Sequence, residues 1–262
     1  MAEYETILAE KTGGVLEITL NRPDRLNAAS IEMAEELGQA LYDLQGARSV
    51  LITGAGRAFC SGADLQARGS ASAVSGGEAS HRALMNHYNP LVSQILHLPV
   101  PVVCAVNGPA AGVGCSIALA GDFVLAGRSA YFLQAFVNIG LVPDGGSTWL
   151  LARAIGRARA TWMMMLGEKI GAQQAEDWGL IYRAVDDEAL MDEARALAER
   201  LATGPTVSYA TIKANIATAL DGTLPEVLLA EAEGQRTAGN SKDAMEGGMA
   251  FLQKRKAQFR GE

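Results

Sequence analysis

The chain has 262 residues, of which 49% are hydrophobic and 19% are charged. This is enough apolar material to bury a sizeable core in one large domain or in two small ones. Its formal net charge of −7 argues against a general nucleic-acid or anionic-membrane surface, since both need an excess of basic residues. An anionic small ligand stays possible, because it needs only local Arg and Lys residues.

The cysteines and the N-terminal residues bear on the cellular compartment. Cys60, Cys104 and Cys115 are odd in number and lie in apolar surroundings, as reduced cytosolic thiols do. The first five residues are acidic and lack the basic-then-apolar order of a signal peptide. The longest apolar run, 102–120, is interrupted by Pro and Gly and predicts a buried strand, a turn and a helix, not a membrane span. We therefore expect a cytoplasmic protein.

Short apolar runs separated by turns predict the first half of the fold. A strand within residues 15–20 ends in the turn Asn21-Arg22-Pro23-Asp24. Ser30 is placed to cap the following helix, in which leucines recur at helical spacing, at Leu37, Leu41 and Leu44. Further strands are predicted at 50–53, 102–106 and 123–126. Strands that alternate with helices are typical of crossover units in a mostly parallel sheet.

After about residue 150 the pattern becomes wholly helical. Apolar residues form two stripes at helical spacing, which are Leu190, Ala194, Leu197 and Leu201, and then Met245, Met249 and Leu252. The expected fold class is therefore α/β, with a core over residues 1–195 and a helical C-terminal region over residues 196–262.

Two Gly-rich turns are the strongest candidates for a ligand site. The first is Phe59-Cys60-Ser61-Gly62-Ala63-Asp64-Leu65, and the second is Asn107-Gly108-Pro109-Ala110-Ala111-Gly112-Val113-Gly114. Small residues let a ligand approach the backbone, and the second turn places N–H groups at the start of a helix. Two such groups converging on one point would form an oxyanion hole for the enolate of a thioester. Two tight turns that serve only packing explain the spacing equally well.

The chain resembles the crotonase (enoyl-CoA hydratase/isomerase) superfamily in motifs that follow one another from about residue 5 to residue 260. They are Asn21-Arg22-Pro23 with Asn27-Ala28, residues 58–65, residues 107–114 with Ala120-Gly121-Asp122, and Ala250-Phe251 with Lys254-Arg255 and Phe259. The resemblance implies a spiral of ββα turns and a helical oligomerisation region, over residues 196–262. It also implies an acyl-CoA thioester substrate, no cofactor beyond the coenzyme A of that substrate, and a trimer or a dimer of trimers.

The resemblance assigns roles to residues of both turns and of the C-terminal end. Ala63 and Val113 would give the two oxyanion N–H groups. The coenzyme-A path would be lined by Arg25, Ala63, Asp64 and Leu65, and its nucleotide end would be reached by Phe251 and Lys254 of a neighbouring subunit. Many relatives have Gly where Val113 stands, and a branched side chain there would narrow the acyl pocket.

Three positions bear on the reaction. Ser116 and Phe136 stand where the family's hydratases place a Glu pair, which activates water and delivers a proton; both are expected to line the substrate site, with Ser116 able to orient a water. Asp144 stands where hydratases usually carry Gly. Dienoyl-CoA isomerases and the ring-epoxide isomerases of phenylacetate breakdown resemble this chain in having Asp there. The segments Ser147-Thr148-Trp149-Leu150-Leu151 and Trp178-Gly179-Leu180 look most like the ring-epoxide group. One carboxylate that moves a proton between two carbons suffices for an isomerase.

Three functions stay open after these comparisons of motifs. An acyl-CoA isomerase with Asp144 as its single base is favoured over a hydratase with a substituted acid and over a homologue that binds acyl-CoA without turnover. Asp144 as a mere turn residue is the alternative explanation for that position. The acyl group is not specified, since the aromatic residues suit either a cyclic acyl chain or the core. No metal site is expected, because the three His residues lack metal-ligand spacing.

Overall fold

The computed structural model describes residues 4–64 and 76–262, and a six-stranded sheet organises them. The strands of this sheet are β1 (Ile7–Thr12), β2 (Val15–Leu20), β3 (Ser49–Gly54), β4 (Val102–Val106), β6 (Phe123–Gly127) and β9 (Arg183–Val185). They lie in the order β1-β2-β3-β4-β6-β9, and every pair is parallel except β1 with β2. Three short strands form a second sheet: β5 (Ala110–Ala111), β7 (Tyr131–Leu133) and β8 (Ile170–Gly171).

Helices connect these strands and then continue alone to the C-terminal end. Their bounds are α1 (Ile31–Tyr42), α2 (Gly76–Ala83), α3 (Asn89–His97), α4 (Val113–Leu119), α5 (Ser147–Leu166), α6 (Ala172–Asp177), α7 (Leu190–Ala202), α8 (Thr206–Asp221), α9 (Leu224–Gly239) and α10 (Lys242–Leu252). Gly156 interrupts α5 with non-helical backbone angles. In the part of the chain that the structure describes, no helix has both the length and the apolar character that a membrane crossing needs.

Both faces of the central sheet are buried, which explains its near-continuous apolar strands. In β3, Val50 and Ile52 point into the larger core cluster with α1 and α3, whereas Leu51 points to the opposite face. There Ala194 and Leu201 of α7 cover the sheet, so the predicted stripe on this helix is confirmed. The second predicted stripe, on α10, faces solvent, since Met245, Met249 and Leu252 are exposed.

The predicted α/β class and the strands at 15–20, 50–53, 102–106 and 123–126 are confirmed. Ser30 caps α1 as predicted, because its hydroxyl accepts a hydrogen bond from Met33 N at 3.1 Å, although α1 ends before Leu44. The expectation of a wholly helical second half is wrong: β9 adds a strand beside β6. Its three residues are too few to show the period-two pattern of a strand.

The C-terminal helices form a region with little core of its own. Within it α8 and α9 pack as a hairpin, and a Cβ added to Gly234 of α9 would lie 2.6 Å from Thr211 of α8. The tail returns to the core, where Arg48 donates to the Phe259 carbonyl at 3.2 Å. The predicted division between residues 195 and 196 falls inside α7, which packs on the sheet, and this division remains a prediction.

Candidate active site

The two Gly-rich turns lie against each other at the carboxyl ends of β3 and β4. Cys60 N donates to the Pro109 carbonyl at 3.0 Å, and Ala111 N donates to the Cys60 carbonyl at 2.9 Å. Gly62 has φ +108°, and a Cβ there would lie 3.2 Å from the Ala111 carbonyl oxygen. The sequence needs glycine at this position both for its backbone angle and for the close approach.

A second glycine fixes how closely α4 approaches the first turn. A Cβ added to Gly114 would lie 2.6 Å from the Cys60 Cβ and 2.7 Å from its Sγ, and closer still to its carbonyl oxygen. Only glycine therefore lets the first turn of α4 sit directly on the backbone of Cys60. The two turns are joined by backbone hydrogen bonds and by this glycine contact.

The predicted oxyanion donors are Ala63 and Val113, which directly follow Gly62 and Gly112 in the chain. A Cβ placed on Gly112 would lie 3.7 Å from the Gly62 Cα, so the two donor residues flank one spot. Over residues 4–64 and 76–262, neither the Ala63 N–H nor the Val113 N–H donates a hydrogen bond. Backbone N–H groups that have no acceptor within the protein are one requirement of an oxyanion site.

The loop that carries Asp144 packs on the start of α4. A Cβ on Gly145, whose φ is +56°, would lie 3.2 Å from Val113 Cγ2 and 3.2 Å from the Ser116 Cβ. Asp144 itself is half-buried, with its Oδ1 atom shielded from solvent. The ring of Phe136, in the short 3-10 turn Ala135–Ile139, lies 3.4 Å from the position a Cβ would take on Gly112.

Ser116 is fully buried, and its hydroxyl is turned to the Asp144 loop. Its Oγ lies 3.2 Å from the Asp144 carbonyl oxygen and 2.7 Å from the Ser147 Oγ. Ser147 is also fully buried. Its segment was noted only for its resemblance to the ring-epoxide isomerases, with no role predicted for the hydroxyl. The available signal was a hydroxyl three residues after an Asp, at the start of a helix.

The other predicted binding residues differ in their surroundings. Asp64 is buried and its carboxylate accepts from Arg22 at 2.8 Å, while Arg25 is exposed in the turn Pro23–Arg25. Phe251, near the end of α10, is 82% exposed, and Lys254 follows that helix. Leu65 lies outside the described residues. The structure therefore brings together both turns and the Asp144 loop, and it leaves the C-terminal residues with no side-chain bond to them in the described chain.

Other reactive side chains are engaged elsewhere. Burial raises the pKa of the Cys115 thiol to about 12, so this thiol is protonated at neutral pH and is a poor nucleophile. Burial also raises the pKa of the Asp122 carboxyl against the opposing effect of Lys213, which pairs with it at 2.8 Å.

A cavity of about 280 Å³ borders the Asp144 loop between α3 and α5. Its lining residues include Asn89, Val92, Leu96, Gly145, Gly146 and Trp149.

Comparison with known proteins places this site in a family. Residues 10–262 match the family model for enoyl-CoA hydratase/isomerase. The chain is 46% identical to the 1,2-epoxyphenylacetyl-CoA isomerase of Escherichia coli (strain K12), over 98% of this chain and 99% of that protein. It is 45% identical to a protein of Rhodobacter capsulatus named probable enoyl-CoA hydratase, again over 98% of this chain and 99% of the relative.

Solved structures of similar sequence have the same fold as this chain. The crystal structure of enoyl-CoA hydratase from Bacillus anthracis superposes with a TM-score of 0.91 at 31% identity, covering 98% of this chain and 100% of that one. The predicted crotonase-like fold is therefore confirmed, with its α/β spiral core and C-terminal helices. One of these relatives is named an isomerase and the other a hydratase, and both names support an enzyme that acts on acyl-CoA thioesters. The chain belongs to the enoyl-CoA hydratase/isomerase family of the crotonase superfamily.

Proposed function

We propose that the chain is an acyl-CoA isomerase, acting on an unsaturated or ring-epoxide CoA thioester with Asp144 as its single base. The observation that carries the proposal is the packing of the Asp144 loop on the first turn of α4, next to two backbone N–H groups that donate no hydrogen bond within the described residues. Ser116 and Phe136 occupy the two positions where the hydratase pattern has Glu, and neither can replace a carboxylate in activating water.

For a substrate with a double bond between C3 and C4, one carboxylate can carry the whole reaction. The C2–H bond breaks, its proton passes to the Asp144 carboxylate, and its electrons form an enolate. The negative charge on the thioester oxygen is stabilised by the N–H groups of Ala63 and Val113. When the enolate collapses, the double bond forms between C2 and C3, and the proton is returned to C4. This proton transfer balances with groups of the chain alone, and we propose that no cofactor takes part.

The substrate preference tests this proposal against the hydratase that the Rhodobacter name suggests. We expect trans-3-hexenoyl-CoA to be converted into its conjugated 2-enoyl isomer at least about a hundredfold faster than crotonyl-CoA is hydrated, since a missing acid–base group typically costs two to four orders of magnitude. Absorbance of the conjugated thioester rises in the first reaction and falls in the second. Fast hydration without isomerisation would indicate a hydratase. Saturable acetyl-CoA binding in calorimetry without either reaction would indicate a pure binding protein.

We further propose that the chain assembles as a trimer or a dimer of trimers. Apolar side chains are exposed along the outer helices α8, α9 and α10, an arrangement typical of a surface that is covered in an assembly. These side chains are Ile212, Ile216, Leu220, Leu224, Leu228, Leu229, Phe251 and Leu252. Phe251 and Lys254 would then reach the coenzyme A of a neighbouring subunit.

Light scattering at micromolar concentration is expected to give the mass of three or six chains. Leu228→Asp should shift the protein toward the monomer, because a charge is costly in the centre of an interface. Tyr42→Asp, at the exposed end of α1, serves as the control and should leave the mass unchanged. A stable wild-type monomer would contradict the proposal.

A further inference from the structure

We propose that Ser116 and Ser147 form a buried hydroxyl pair that sets the position of the Asp144 base, an inference that rests on the proposed function. Both serines are fully buried, and they come from different elements, α4 and the start of α5. Their shared partner is the backbone carbonyl of Asp144. In this proposal neither serine touches substrate: they are positioning residues that act through Asp144.

The hydrogen-bond distances define the direction of the pair. Ser147 Oγ lies 2.7 Å from the Asp144 carbonyl oxygen, which also accepts from Ser147 N at 3.0 Å. Ser116 Oγ lies 2.7 Å from Ser147 Oγ but 3.2 Å from that carbonyl. Each hydroxyl has one proton to give. The shortest arrangement therefore runs from Ser116 to Ser147 and from Ser147 to the Asp144 carbonyl.

The burial of Ser116 favours this positioning role over the expectation that its hydroxyl orients a water. The Ser116 side chain has no solvent-accessible surface, and its hydroxyl proton is used within the pair. A buried polar network with all its donors satisfied rigidifies the segment that it joins. Here the segment is the peptide that carries the base, next to Gly145 and Gly146, which both have positive φ. Such a loop has little stiffness of its own, so external bonds decide where its carboxylate points.

The same packing leaves little room for a longer side chain at position 116 beside the Asp144 loop. A Cβ on Gly145 would lie only 3.2 Å from both Cβ and Oγ of Ser116. A Glu side chain at position 116 would have to enter this space and push the loop away.

A mutant cycle tests the pair with trans-3-hexenoyl-CoA as substrate. Ser147→Ala is expected to lower kcat by roughly ten- to a hundredfold with little change in KM, because a displacement of the order of 1 Å can cost about a hundredfold. Ser116→Ala should have a smaller effect, and the double variant should resemble Ser147→Ala. In an Asp144→Asn background, neither serine variant should lower the residual rate further.

Ser49→Ala is the matched control. Ser49 is another fully buried serine, whose hydroxyl donates to the Ala198 carbonyl at 2.8 Å, in the contact of β3 with α7. The Ser49→Ala variant should lose about as much thermal stability as Ser147→Ala, without a change in kcat. Ser147→Cys keeps the shape but weakens the donor, and it should show the same loss of kcat even if the Ala variant folds poorly. Acetyl-CoA affinity by calorimetry reports on the intact site in each variant.

Three outcomes would overturn the inference. Wild-type kcat in both Ser147→Ala and Ser147→Cys would show that the hydroxyl does not position the base. A further loss of rate when either serine is changed in the Asp144→Asn background would show that it acts on the substrate directly. A fully active Asp144→Asn protein would overturn the proposed function together with this inference, so the two failures are distinguishable.

Discussion

Asp144→Asn is expected to lower isomerase turnover by roughly two to four orders of magnitude, the usual span for a positioned acid–base group. Asn keeps the shape of the side chain but removes the proton acceptor. The hydroxyl bonds that run from Ser116 to Ser147 and from Ser147 to the carbonyl of residue 144 do not depend on the carboxylate, so the loop should keep its place. Turnover of trans-3-hexenoyl-CoA, followed by the absorbance of the conjugated product, gives the rate.

Binding should change much less than turnover in this variant. In the proposed arrangement the carboxylate meets the acyl carbons and not the nucleotide, and calorimetry with acetyl-CoA should therefore give a wild-type affinity. Asp186→Asn is the control for the loss of one carboxylate. Asp186 pairs with Arg128 on the surface, where both side chains are largely exposed, and such a pair contributes little. Near-normal isomerase turnover in Asp144→Asn would refute the assignment of the base.

Gly114→Ala is expected to damage both stability and activity. The added Cβ would lie 2.6 Å from Cys60 Cβ, a distance that real Cβ atoms do not adopt, and part of the clash is with backbone that cannot rotate away. Overpacking of this kind costs about 3 kcal/mol, which corresponds to a fall of roughly 6–12 °C in melting temperature. Displacement of α4 from Cys60 would also move the Val113 N–H and lower turnover by about a hundredfold.

Gly248→Ala is the control for Gly114→Ala, because it adds the same methyl group within another helix. A Cβ on Gly248 of α10 would meet no atom within 4 Å, and alanine is favoured over glycine in a helix interior by about 1 kcal/mol. This variant should melt at the wild-type temperature or above it in circular dichroism. A Gly114→Ala protein as stable and as active as Gly248→Ala would contradict the close packing of the two turns.

The fold could be predicted where burial leaves a clear pattern in the sequence. The strands β3 and β4 are buried on both faces and consist of apolar runs, and the cap of α1 is a local hydrogen bond from Met33 N to Ser30. β1 escaped prediction because it is an edge strand with only Ile7 buried among exposed residues. β9 is recognisable as a strand only through its pairing with β6, a tertiary contact that no local pattern reports.

The glycine turns that shape the backbone of the candidate site could be predicted, but the buried hydroxyl bonds that hold the Asp144 loop could not. Glycines that require positive φ or a close approach leave a mark in the sequence: Gly62 requires both, and Gly112 requires the positive φ. Asp144 was recognisable by its position in a family motif. Ser147 lies in a segment that also resembles the family, but its role was not recognisable. That role depends on a hydroxyl 31 residues away in the chain, and a serine at the start of a helix is common on local grounds alone.

Because the proposed oxyanion donors are main-chain N–H groups, they are almost immune to point mutation. Among the encoded amino acids only proline lacks an N–H, so other replacements at Ala63 or Val113 alter the shape of the site and keep its donors. Relatives can therefore drift in side chain at these two positions while electrostatic stabilisation of the enolate persists. What selection must preserve is the set of neighbours that hold the peptide planes in place. In this chain Gly62, Gly112 and Gly114 are such neighbours, so replacing one of them should disturb the donors more than replacing Ala63 or Val113.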